Sequence, residues 1–315
     1  MGHFIRTLAL AEMLKDDFQC IYATISPSSY QINEIKNICS SWINLPDNLS
    51  HFNIFLNLLE GNEIVVLDNY YYTSEYQLQI KEKGCKLVCI DDLHEIKYYA
   101  DIVINHAEGL KESSFMKEPY TKLCLGYKYA LLRKEYLKKT HPDYPKIYSC
   151  MVMMGGVDPY HLTYQIIKKL QGFHQIKTIA VIVGSGYQGE DEFNSFPNIK
   201  VFKGIDSQLV FRIMQESVFG VLPASTVAIE ACAARLPFIC GYFIDNQKEL
   251  YNGIKNNNLA VCIGDYRDSN PVIINQALDA IEDLNTYHSI ERLQKSMLDK
   301  KSNVRIVKIF SELCL

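Results

Sequence analysis

The sequence has no run of about eighteen apolar residues, the length a helix needs to cross a bilayer, so membrane-spanning helices play no part in its organisation. Basic clusters are missing as well: 32 lysines and arginines stand against 36 aspartates and glutamates, a net charge of −4. A broad footprint for a nucleic-acid backbone is therefore absent, and any phosphate bound here has to be met by local geometry. The ten cysteines include no C-x-x-C pair, and most lie in apolar runs such as KLVCID and PFICGY. That pattern reads as buried reduced thiols. The eight histidines do not group with Cys or Asp at metal spacing, so neither a metal nor another cofactor is expected. The opening MGHFIRTLALAEML lacks the basic region, long apolar stretch and small-residue cleavage site of a secretory signal, and a cytoplasmic location is the expectation.

What the sequence does contain is the composition of a globular protein, 48% hydrophobic and 22% charged over 315 residues. That length favours two domains over one. Short apolar, β-branched runs (FQCIYATI at 18–25, EIVVLD at 63–68, KLVCID at 86–91, DIVIN at 101–105) alternate with helical patterns such as TSEYQLQIKEKG. This is the rhythm of a parallel sheet with crossover helices. After KKTHPDYPK at 138–146, with its two prolines, a second series follows: IYSCMVMM, TIAVIVGSG, NIKVFKG, SVFGVLP, PFICGY and AVCIG. A domain boundary is expected there, giving domains 1–142 and 143–315.

In the second series IYSCMVMM runs into Gly155 and Gly156, and Asp158-Pro159 opens the helical pattern HLTYQIIKKL. A strand–glycine–helix junction aims free backbone N–H groups outward, where they can receive an anion. In PASTVAIEACAARLPF, Ser225 and Thr226 occupy N-cap-like positions before a small-residue helix. Glu230 lies one turn inside it, placed either to accept hydrogen bonds from a ribose diol or as an imperfect capping glutamate. Asn246 and Gln247 follow the next strand. All these features fall at carboxyl ends of strands, where open α/β sheets bind ligands. Gly184-Ser185-Gly186 reads as a plain loop. In the first series Tyr70-Tyr71-Tyr72 and Asp91-Asp92 follow strands, with Asp92 taken alone reading as a helix N-cap.

Gly2-His3 with Arg6, Asp68-Asn69-Tyr70, Ile90-Asp91-Asp92, Asn105, GYKYALLRKEY at 126–136, MGGVDPYHLT at 154–163, ASTVAIEA at 224–231 and Asn246-Gln247 resemble, in order, the motifs of the UDP-2,4-diacetamido-2,4,6-trideoxy-β-L-altropyranose hydrolases of pseudaminic acid biosynthesis. The S-T-x-x-x-E helix is shared with the wider MurG-like GT-B group. The resemblance implies an α/β, GT-B fold of two Rossmann-like domains facing across a cleft, the N-terminal one lacking its first strand and glycine-rich turn. It implies His3 and Tyr70 as catalytic residues, and Gly155, Gly156, Ser225 and Thr226 as the diphosphate cradle. Glu230 becomes the ribose ligand, and Arg6, Asp91, Asp92, Asn105, Asn246 and Gln247 line the sugar side. Asn69 replaces the family's histidine, and Ala107 the second asparagine of its N-x-N. The implied partner is a UDP-sugar, with no nucleic acid.

The chemistry is coherent with these residue types. Hydrolysis of a sugar-nucleotide bond needs an activated water, a task for a histidine, and a stabilised diphosphate, a task for helix N-termini and backbone N–H groups. Without the resemblance, His3 reads as a disordered terminal residue. Two other functions stay open at this stage: a GT-B glycosyltransferase passing the sugar to a hydroxyl acceptor, and a non-catalytic, truncated UDP-sugar-binding relative.

Overall fold

The computed structural model describes residues 2–138, 143–156, 158–268 and 271–315, so residues 139–142 of the expected linker, and Val157, lie outside it. The chain divides into two compact units, Met1–Lys134 with Lys301–Leu315, and Glu135–Lys300. The boundary thus falls at 134/135 rather than 142/143, and the C-terminal helix leaves the second half to pack in the first unit.

The first unit contains α1 (Gly2–Leu14), β1 (Ile21–Ile25), α2 (Ser29–Ile38), β2 (Ser41–Leu45), α3 (Ser50–Leu58), β3 (Ile64–Leu67), α4 (Ser74–Glu82), β4 (Lys86–Ile90), β5 (Ile102–Asn105) and β6 (Lys122–Leu125). After the short α5 (Lys134–Leu137), the second holds β7 (Tyr148–Val152), α6 (Leu162–Leu170), β8 (Ile179–Val183), β9 (Ile199–Lys203), α7 (Ser207–Glu216), β10 (Ser217–Pro223), α8 (Thr226–Ala234), β11 (Phe238–Tyr242), α9 (Lys248–Asn256), β12 (Val261–Asp265), α10 (Pro271–Glu282) and α11 (Leu284–Met297). The last helix, α12 (Ser302–Glu312), belongs to the first unit and packs on α1.

Every strand named from the sequence is present. Two more, β2 (SWINL) and β6 (KLCL), are not among the runs named from the sequence. All strand pairs are parallel. The second unit carries one sheet of order β12-β11-β10-β7-β8-β9, whereas the first carries two, β1-β2 and β3-β4-β5-β6.

Helix α1 is apolar almost all round (Phe4, Leu8, Ala9, Leu10, Met13 and Leu14 are buried), which suits an element enclosed by α2 and α12. Its two buried charged residues, Arg6 and Glu12, need partners. Glu12 accepts from Arg133 Nε at 3.2 Å, and Arg133 also donates to Glu34 at 3.1 Å. The YALLR segment therefore ties α1 to α2, with Ala130, Leu131 and Leu132 buried beside it. All ten cysteines are free, and seven are buried.

Candidate active site

In the first unit the carboxyl ends of β3, β4 and β5 carry Asp68, Asp91-Asp92 and Asn105-His106, and the first turn of α1 supplies His3 and Arg6. Arg6 is 4% exposed and is gripped from two sides. Its Nε and Nη2 donate to the two oxygens of Asp68 at 2.7 and 2.6 Å, a fork-to-fork pair, and its Nη1 donates to both oxygens of Asp92 at 2.7 and 2.6 Å. Burial works to discharge the guanidinium, but the bonds and charges of Asp68 and Asp92 outweigh it and hold Arg6 more firmly protonated than usual. Asp92 shows the reciprocal effect: burial would raise its carboxyl, yet Arg6 holds it below its usual range.

His3 is fixed by the same cluster. Its Nδ1 lies 2.6 Å from Asp68 Oδ1 and 3.2 Å from Arg6 Nη2. The shorter contact is to a carboxylate, so in the neutral ring the Nδ1 proton is directed to Asp68 and the lone pair lies on Nε2. The side chain keeps 29% exposure against 1% for Asp68. The reading that His3 would have without the resemblance, a disordered terminal residue, does not fit these contacts. Tyr70 stands beside it, its ring 4.7 Å from the imidazole in an edge contact and its hydroxyl donating to Asp92 at 3.1 Å.

Two other readings change. Asp91, not Asp92, is the local cap: it accepts from Leu93 N and His94 N, each at 3.0 Å, and from the Tyr98 hydroxyl. Its oxygens serve the turn, where His94 takes a left-handed φ of 44°. Asp91 is thus a framework residue, and the adjacent Asp92 carries the contacts to Arg6 and Tyr70. Asn105 is 2% exposed; its Oδ1 accepts from Ala107 N at 2.9 Å, while its Nδ2 is buried without a partner among the described residues. Asp68 and His106 were absent from the predicted site. An acidic residue closing the apolar run EIVVLD was the available signal for Asp68; His106 had none.

In the second unit the strand order turns between β7 and β10, the switch point at which doubly wound sheets bind ligands. Gly155 and Gly156 follow β7, and Ser225 and Thr226 follow β10, so the pairing of Val221 with Val152 brings these two turns side by side. A Cβ on Gly184 would stand 2.1 Å from Gly156 O. The loop after β8 therefore presses on the turn after β7, and Gly184 is required there. Ser225 is the N-cap of α8 yet makes no side-chain cap bond, which leaves first-turn N–H groups of α8 for another acceptor. Glu230 is 7% exposed within that helix.

The other helix start is closed. Helix α6 begins at Leu162 rather than at Pro159, and Asp158, itself buried, accepts from Leu162 N at 2.9 Å and Thr163 N at 2.7 Å. An internal carboxylate already occupies the place an anion would take, so the junction after β7 offers its glycine turn and not its helix. Gln247 is likewise engaged, its Oε1 accepting from Phe243 N at 3.0 Å, and Asn246 beside it is half-buried. Among the described residues no group of three metal-ligating side chains occurs, and no helix is long and apolar enough to cross a membrane.

No family model matches the chain. It is similar to the UDP-2,4-diacetamido-2,4,6-trideoxy-β-L-altropyranose hydrolase of Campylobacter jejuni, with 26% identity over 267 residues, 78% of this chain and 88% of that protein. It is similar at 26% over 270 residues to an uncharacterised protein of Methanocaldococcus jannaschii, covering 80% of this chain but only 55% of that protein, so it spans about half of that relative's length. Among solved structures it resembles MurG of Acinetobacter baumannii, with a TM-score of 0.65 at 10% identity over 99% of this chain and 96% of that one. The calicheamicin glycosyltransferase CalG4 aligns with a TM-score of 0.63 at 11% identity, over 98% of this chain and 94% of that one. The fold is α/β and of the GT-B type these proteins share.

Proposed function

We propose that the protein hydrolyses a UDP-linked diacetamido-trideoxy hexose, releasing UDP and the free sugar. The observation that carries this reading is the His3–Asp68 pair: a half-exposed imidazole, oriented through Nδ1 by a buried carboxylate, with Nε2 free to take a proton. Similarity to a hydrolase of that substrate class supports the same reading.

In this mechanism Nε2 of His3 draws a proton from a water that attacks the anomeric carbon. The bond from that carbon to the diphosphate oxygen breaks, and its electron pair leaves with UDP. Asp68 stabilises the imidazolium formed, while Arg6 offsets the charges of Asp68 and Asp92. Tyr70 and Asp92 border the same space. The glycine turn after β7 and the open start of α8 receive the diphosphate, where backbone N–H groups meet the charge of the leaving group. Glu230 accepts from the ribose, and Asn246 faces the sugar.

Incubation with UDP-linked diacetamido-trideoxy hexoses, with and without a hydroxyl acceptor, tests the assignment. UDP release that needs no acceptor, with label from H2(18)O in the sugar, is expected. Release only with acceptor would make the protein a glycosyltransferase, and tight UDP-sugar binding without release would make it a binding protein.

A further inference from the structure

His106 belongs to the first unit's polar cluster, and the mechanism does not use it. It follows β5 directly, and the register explains its place. Ile90 pairs with Ile104 and Asp91 N donates to Ile104 O at 3.1 Å, so Asp92 and His106, each two positions further on, leave the sheet at the same level. The imidazole is 5% exposed, and its Nδ1 is buried with no hydrogen-bond partner among the described residues.

Its neighbours are engaged with one another. Arg6 spends Nε, Nη1 and Nη2 on Asp68 and Asp92, while Asp92 receives Arg6 and the Tyr70 hydroxyl. None of these bonds goes to His106 Nδ1. Burial is the largest influence on the ring and lowers its titration to about 4, with Asp92 and Asp68 opposing the shift and Arg6 adding to it. At ordinary pH the side chain is therefore a neutral donor and acceptor. A buried polar atom left unmatched carries a cost and calls for a partner. An anion is a poor candidate, since Asp68 and Asp92 share the single guanidinium of Arg6.

We propose that His106 reads the sugar: its neutral imidazole hydrogen-bonds an uncharged polar substituent, hydroxyl or acylamino, of the hexose carried by UDP. This rests on the UDP-sugar reading above and adds a specificity residue to it.

The test compares wild-type protein with His106→Phe, which keeps a buried ring but no hydrogen bond, and with His106→Asn, which keeps a neutral donor and acceptor. Binding of UDP and of a UDP-linked diacetamido-trideoxy hexose is measured by calorimetry, and melting temperature alongside. His106→Phe should weaken the UDP-sugar about ten-fold, the loss of one hydrogen bond with its partner left unmatched, and leave UDP affinity and melting temperature unchanged. His106→Asn should recover part of the loss. Equal weakening of UDP and UDP-sugar, or no change in either, overturns the inference while leaving the hydrolase reading intact. Absence of UDP-sugar binding in the wild type removes both. Should His106→Phe not fold, the (15)N-histidine spectrum of the wild type decides, with the His106 signal identified from His106→Asn. That signal should move with UDP-sugar and not with UDP, and a signal indifferent to both overturns the inference.

Discussion

The two units share one architecture, a parallel sheet with polar groups at the carboxyl ends of its strands, and they furnish those ends with different chemistry. In the second unit a continuous six-stranded sheet ends in glycine turns and an α8 of alanines and other small residues, so that backbone lies at the surface of the switch point. In the first unit the sheet is divided, and its strand ends carry Asp68, Asp92, Asn105 and His106 around Arg6. Backbone N–H groups are fixed donors that suit a diphosphate whatever the pH. Ionisable side chains are what a proton transfer requires, and each buried one must be held by a partner. Among the described residues β1 and β3 each pair on one side only, and β1 is half-exposed along its length, whereas β8 is buried throughout. The unit to which the proton transfer is assigned is thus the one with less sheet behind its charges, and its ion pairs do part of the work that a sheet does elsewhere.

The largest effect expected of a single change is at His3. His3→Ala should lower turnover by roughly two to four powers of ten, the range for losing a general base, with UDP affinity unchanged because UDP is assigned to the second unit. A parallel fall in UDP affinity would erase the division of labour. Asp68→Ala strikes the same unit through stability. It leaves Arg6 with one carboxylate in place of two, and breaking a buried pair costs about 3–5 kcal/mol. Hydrogen exchange should quicken across β3, β4 and α1 while β7, β8 and β10 keep their protection. Uniform loss of protection would show that the units unfold as one.

Acid separates the units next. The imidazole of His106 titrates near 4 instead of 6.5, so between these values the unfolded chain takes up a proton that the folded one refuses. Stability from this group is complete above about pH 6.5 and is lost as pH falls to 4, by roughly 3 kcal/mol at 1.36 kcal/mol per unit. Asp92, held low chiefly against its burial by Arg6, extends the loss below the usual carboxylate range, while Asp91, raised by burial, opposes it. Exchange protection in the first unit should fall on acidification ahead of that in the second, and His106→Phe should flatten the dependence.

Much of this was legible because it is local. Strand runs followed by Gly155-Gly156 or Ser225-Thr226 announce backbone geometry through their own residues, and the structure sets them at adjacent strand ends. What escaped depends on partners distant in sequence or on unusual torsions. Asp91 and Asp92 are equal as letters; the left-handed turn at His94 turns the first into a cap, and Arg6, 86 residues away, claims the second. Asp158, itself at a φ of 46°, closes α6 from four residues ahead, and no capping pattern foretells this. The return of α12 to α1 is tertiary packing, invisible to periodicity. His106 is simply one histidine among eight until burial isolates it.

The smallest effect concerns Glu230, and it tests whether the second unit recognises its ligand with backbone alone. Glu230 is buried in α8, four positions after Thr226. In the proposed reading, a carboxylate there, behind a helix start that receives phosphate, accepts from the ribose hydroxyls. Glu230→Gln keeps the shape and one acceptor oxygen but removes the charge. A hydrogen bond to an ionised acceptor is worth about 1.5–3 kcal/mol, so UDP should bind roughly ten- to a hundred-fold more weakly. dUDP, lacking the 2′-hydroxyl, should change much less, which makes the ratio of the two affinities the decisive measurement. A capping or packing role forecasts otherwise: both nucleotides would weaken equally and the melting temperature would drop with them. In that case the second unit holds its ligand through the glycine turn and the start of α8, and its contrast with the charged first unit is complete.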